Sequence, residues 1–132
     1  MKYYQMDKEL LTVNNDQDLD HLYGQALDIA GYTRNLTNDK AFICMMHTPQ
    51  EAQLADLEQQ HQALDMPVAL VGGQLGLMTQ LIPCLVREGY AVFEAKTNRI
   101  SQERTQEDGT VKRVSVFQHA GLRRLGVLNR SE

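Results

Sequence analysis

Between residues 17 and 30 the apolar side chains Leu19, Leu22, Tyr23, Ala26, Leu27 and Ala30 recur at steps of three and four, the spacing of one helix face. Asp16 or Asp18 is available to cap this predicted helix, and Gly31 follows it. The weakly alternating stretch before it, residues 3–13, reads as a short strand or hairpin that ends at Asn14-Asn15-Asp16. From residue 41 the pattern changes. Ala41-Phe42-Ile43-Cys44-Met45-Met46 is apolar without alternation, as suits a strand covered on both faces.

His47-Thr48-Pro49 then leads into a helical stripe of Leu54, Leu57, His61 and Leu64. Thr48 as cap, Pro49 at the first helical position and Glu51 as the return partner predict its start. A second apolar run, Val68-Ala69-Leu70-Val71, passes into Gly72-Gly73-Gln74-Leu75-Gly76 and an apolar helix through Val86. Pro83 removes the amide that would bond the Thr79 carbonyl, so a kink is predicted there, and Gly89 ends the helix. The third run, residues 90–95, completes a strand–helix–strand–helix–strand series whose short connections imply right-handed crossovers and a parallel sheet. Beyond Ala95 the chain turns polar, then returns over residues 111–118 after an Asp108-Gly109 turn. The expected architecture is a three-layer α/β domain over residues 41–132, with a mainly parallel sheet and a C-terminal β-hairpin. Residues 1–40 are read as an N-terminal appendage.

The 132 residues suffice for one core and hardly for two. No apolar run approaches the roughly 18 residues that cross a bilayer, and the first residues lack a secretory hydrophobic region; a cytoplasmic protein without membrane contact is expected. The two cysteines, Cys44 and Cys84, both lie in apolar segments and read as buried thiols. Net charge is −4, which argues against nonspecific binding of duplex DNA. The charge is unevenly placed: residues 1–86 hold 4 Lys/Arg against 11 Asp/Glu, and residues 87–132 hold 9 against 6. The C-terminal third therefore suits either a small anion or an ordinary solvated surface. The four histidines are scattered at 21, 47, 61 and 119 without ligand spacing, so no metal site is predicted, and no cofactor motif is present.

A parallel sheet gathers the segments that follow its strands along one edge. Here they supply His47 and Thr48, then Gly72, Gly73, Gln74 and Gly76, then Lys96, Thr97, Asn98 and Arg99. The glycines either let backbone N–H groups and a helix N-terminus cradle phosphate or simply form a tight turn. Lys96 and Arg99 can grip phosphate, and Thr48 and Thr97 can donate hydroxyl hydrogens to it. His47 is a candidate acid or base, or a structural residue at a strand end. His119 lies on the returning strand, away from this edge, and reads as structural or as acting across a dimer.

Ala95-Lys96-Thr97-Asn98-Arg99, Asp108-Gly109-Thr110 and Val114-Ser115-Val116-Phe117-Gln118-His119, followed by Arg123-Arg124, give residues 41–125 a pattern that resembles the small standalone CRISPR-associated ring nucleases. That resemblance implies a Rossmann-like domain that forms a homodimer and binds the second messenger cyclic oligoadenylate in antiviral defence, either only holding it or also cleaving it as a hydrolase. It places the backbone of residues 72–76 on the phosphates and His47, Thr48, Thr97 and Arg99 around the pocket, with His47 and Arg99 as the catalytic candidates. Lys96 and Asn98 depart from the family's Thr and Glu, which removes a carboxylate. The implied reaction needs no metal, because a ribose 2′-hydroxyl can serve as nucleophile when held in line. The alternative from another class is a noncatalytic homodimeric interaction or regulatory module.

Overall fold

The apolar runs at 41–46, 68–71 and 90–95 supply the inner strands of one sheet. The computed structural model describes residues 2–6, 11, 18–34, 40–45 and 47–126. In chain order these form β1 (Lys2–Gln5), α1 (Leu19–Thr33), β2 (Lys40–Met45), α2 (Glu51–Leu64), β3 (Val68–Gly72), α3 (Leu75–Arg87), β4 (Ala91–Thr105) and β5 (Val111–Leu125). The strands stand in sequence order, the first four parallel and β5 antiparallel to β4. With helices on both faces, the result is a three-layer, Rossmann-like α/β fold with a C-terminal hairpin.

Strand alternation divides the core in two. Phe42, Cys44, Ala69, Val71 and Val92 face α1 and α3, where Leu22, Ala26, Ile29, Leu77, Leu81 and Leu85 meet them. Ile43, Met45, Val68, Leu70 and Phe93 face α2 and its Leu57. Every one of these strand residues is buried, so each face needed its own cover. This requirement overturns the expectation that all crossovers are right-handed. A chain that steps the same way across the sheet three times, yet places α2 opposite α1 and α3, gives the β2–α2–β3 unit the opposite hand from its neighbours.

The N-terminal segment is built into this core instead of standing apart. β1 pairs with β2 from Lys2↔Lys40 to Gln5↔Ile43, and α1 packs on α3. The α1 start is capped by Asp18, whose carboxylate accepts from the His21 amide at 2.7 Å. The helix runs past Gly31 to Thr33, and the buried Tyr90 hydroxyl donates to the Thr33 carbonyl at 2.9 Å, satisfying one of the end carbonyls. Residues 7–10 and 12–17, on which most of the expected hairpin falls, lie outside the described residues. Helix α3 continues through Pro83, which sits on its exposed side. Among the described residues no helix is long and apolar enough to cross a membrane.

Cys44 and Cys84 are both buried and unpaired. Burial pushes the Cys44 thiol up to about 12 from an ordinary 9.0. In a Cys84→Ser protein, Cys44 should therefore resist a disulfide reagent at pH 8 while folded and react fully once denatured. Because the unfolded thiol ionises first, stability should fall as pH rises from 9 towards 12, by about 1.4 kcal/mol per pH unit. A native thiol that titrates freely with the reagent would contradict this placement.

Candidate functional site

The opposed crossover hands create the site. The chain leaves the carboxyl end of β2 towards the α2 face and the end of β3 towards the α3 face, so a crevice opens where the two connections part. A cavity of about 400 Å3 occupies it, bordered by Met45 at the end of β2 and His47 just after it, Val71 and Gly72 at the end of β3, and Glu94, Ala95 and Thr97 on β4. Gln50 and Gln53 at the start of α2 and Phe117 on β5 complete the wall.

Helix α2 begins two residues later than predicted. Gln50 is its N-cap, and the Gln50 amide donates to Oε1 of the buried Gln53 at 2.9 Å, leaving Thr48 exposed in the connection. The capping pair is thus Gln50 and Gln53, in place of Thr48 and Glu51. The later start turns both carboxamides towards the cavity wall.

The polar stretch after Ala95 is not a loop. β4 continues to Thr105, but its pairing with β3 ends at Val71↔Glu94, so residues 97–105 pair only with β5 and overhang the sheet by roughly 30 Å. A bulge marks the point of departure. Lys96 pairs with Gly121 and Thr97 with His119, which leaves Ala120 as the extra residue and Gly121 at φ 117°, a conformation suited to glycine.

Thr97 borders the main cavity and Lys96 does not; Lys96 borders a neighbouring recess of about 430 Å3 that shares Glu94, Ala95 and Thr97 with the cavity and adds Asn98 and Arg123. Arg123 holds the Glu94 carboxylate at 3.1 Å, balancing the acid at the cavity edge. Arg99 lies two residues beyond Thr97, exposed, opposite Phe117 in the ribbon register, and outside the cavity lining.

Of the glycine-rich segment, only Gly72 borders the main cavity; Gly73 borders a recess beside α3, and Gln74 is the exposed N-cap of that helix. Gly76 has a packing role. A Cβ there would stand 3.2 Å from Leu22 Cδ1, so its small size admits α1. The structure therefore brings His47, Gly72 and Thr97 together, keeps Thr48, Gly73, Gln74 and Lys96 adjacent, and places Arg99 and Gly76 elsewhere.

His119 stands closer to the site than its return strand suggests, in the structural role expected of it. The ribbon carries it level with Thr97, where its Nε2 lies 2.5 Å from Oδ2 of Asp56 on α2. The Cα register and the α2 contact set Thr97, Arg99, Phe117 and His119 on the α2 face. Phe117 is 64% exposed, unusual for an aromatic side chain beside a cavity. Gln50, Gln53 and Asp56 are the site residues that the sequence did not single out, and Phe117 and His119 entered it only within the return-strand motif, without a place beside the cavity. Among the described residues, no three His, Cys, Asp or Glu side chains stand close enough to hold a metal ion.

A family model described as that of the uncharacterized protein MJ1673 family matches residues 47–123, more than half of the chain. No curated protein and no solved structure matches it.

Proposed function

The chain belongs to the uncharacterized protein MJ1673 family, and the matched segment holds all of the cavity lining except Met45; from that premise we propose that it binds cyclic oligoadenylate at the crevice and opens the ring. The observation that carries this reading is the convergence of His47, Gly72 and Thr97, from three separate strand ends, on one cavity. An exposed aromatic wall, Phe117, suits stacking of a nucleobase, as in proteins that hold single-stranded nucleotides. The Thr97 hydroxyl and the backbone at Gly72 suit phosphate oxygens, and Lys96 borders the recess that shares Glu94, Ala95 and Thr97 with the cavity.

In the proposed reaction the ribose 2′-oxygen attacks the adjacent phosphorus, its proton passes to a base, and the bond to the 5′-oxygen breaks with a proton supplied to that oxygen. The product carries a 2′,3′-cyclic phosphate and a 5′-hydroxyl. His47 and Glu94 are the cavity residues able to move a proton, and Glu94 is already paired with Arg123, so the role falls to His47. At about 400 Å3 the cavity lies near the small end of the roughly 300–1,000 Å3 range of ligand pockets, so a ring of several nucleotides needs more than one. A twofold dimer would supply two copies of the same wall.

The test incubates the protein with cyclic tri-, tetra- and hexa-adenylate in EDTA and separates the products. Linear oligoadenylate ending in a 2′,3′-cyclic phosphate is the expected result. Retention without cleavage would leave a sensor, and neither binding nor cleavage would sink the proposal. A noncatalytic homodimeric module is the second reading, favoured by the exposed apolar side chains of Ile100, Val111 and Phe117 on the ribbon. It predicts that a charged residue at Val111 abolishes self-association while the His47 position is indifferent.

A further inference from the structure

Among the described residues the sheet has three free edges: β1, the overhanging part of β4, and β5. Proteins commonly blunt such edges, because a row of open N–H and C=O groups invites a further strand. β1 is blunted by its length of four residues, and the overhang of β4 by Arg99, Glu103 and Arg104. β5 is not blunted in either way. It runs for 15 residues, pairs with β4 on one side, and on the other makes no backbone hydrogen bond among the described residues. From Val114 to Leu122 it has no Lys, Arg, Asp or Glu. A two-stranded ribbon with solvent on both sides is marginal by itself and gains from another strand. We infer that β5 is a docking edge for a second copy of this chain, paired antiparallel across a twofold axis at Ser115.

The open stretch runs from Val111, after the turn, to His119, before the bulge at Ala120, and Ser115 is its midpoint. An axis there sets Val114 opposite Val116 of the second copy, twice over, with Arg113 opposite Phe117 and Lys112 opposite Gln118, so no like charges face each other. The ends are complementary too. Glu107 and Asp108 stand in the turn at one end, and Arg123 and Arg124 at the other. Antiparallel pairing carries the acidic turn of each copy to the arginines of the other. Among the described residues Glu107 and Arg124 belong to no ion pair. An edge that complements itself in this way fits its own copy better than an unrelated peptide. Phe117, on the wall of the main cavity, is two residues from the axis, so the joined sheet would carry both cavities on one face, on either side of the seam. The inference stands on the edge and not on the cyclic oligoadenylate reading.

The test is sedimentation equilibrium of the full chain, without ligand, over the micromolar range. Wild-type protein should be a dimer, and Ser115→Lys, which sets a lysine on the axis, should be a folded monomer. Glu107→Arg should raise the dimer dissociation constant about tenfold or more by bringing like charges together, and adding Arg124→Glu should restore it. Ser115→Cys should be linked to its own copy when oxidised by diamide, because opposed Cα atoms in antiparallel strands lie about 4.5–5.5 Å apart, within disulfide reach. Cys44 and Cys84 are buried and do not compete. A monomeric wild type would overturn the inference, and so would a dimer that survives Ser115→Lys and is not linked at residue 115. Should Ser115→Lys not fold, the Ser115→Cys linkage decides alone.

Discussion

Phe42→Ala is expected to lower the unfolding free energy by about 3–5 kcal/mol, the range for deleting a large buried aromatic side chain. Phe42 is fully buried at the middle of β2, with Tyr4 stacked at a centroid distance of 6.0 Å and Tyr90 edge-on at 6.5 Å. It joins the edge strand to the core that α1 and α3 cover. Removing it leaves a void between the sheet and the helices that cover it, beside strands fixed by backbone pairing on both sides, so little collapse can fill the space. Urea unfolding should show a lower midpoint with an unchanged slope. Phe117→Ala is the internal control: its ring is 64% exposed, and its loss should move stability by no more than about 0.5 kcal/mol. A cost below about 1 kcal/mol at Phe42 would mean that the N-terminal strand does not depend on this cluster.

What the sequence could and could not reveal follows from which forces leave a local trace. Strands β2 and β3 and the start of β4 were legible because burial on both faces demands runs of apolar residues, and the helices between them because one buried face imposes a period. The rest of β4 was not legible. Residues 97–105 stand on a ribbon with solvent on both sides, so no buried face writes alternation into Lys96-Thr97-Asn98-Arg99, and the stretch read as a loop. Reading it as a loop hid the strand geometry by which Thr97 borders the main cavity while Lys96 borders only the recess beside it.

The cap of α2 failed for another reason. Thr48, Pro49, Gln50, Glu51 and Gln53 carry two overlapping start signals, and the chain uses the pair with the buried Gln53. β1 is four residues long and pairs with a strand 38 positions away at Lys2↔Lys40, and parallel pairing of that kind has no turn to announce it. The Asp56–His119 contact spans 63 residues and appears only when the ribbon has been placed. The segments that gather at the sheet edge could be named from connectivity; the crevice between them could not, since it depends on α2 lying opposite its neighbours.

The crevice gives the largest expected effect on activity. His47→Ala should slow ring opening by about 10²–10⁴-fold, the usual contribution of a positioned proton-transfer group, and leave ring affinity nearly unchanged. His47 sits on the bend just after β2, exposed, on the wall that also holds Gly72 and Thr97. Its side chain is not part of the core, so the variant should keep the wild-type melting temperature. The cavity is open to solvent at this residue, and added imidazole should restore part of the lost rate, which a residue needed only for folding would not allow. Equal losses of affinity and of rate constant would instead make His47 a group that binds the ring without acting in the bond-breaking step. An unchanged rate would move the proton transfer to another residue, and the Asp56–His119 pair, in the groove next to the cavity, would be the place to look.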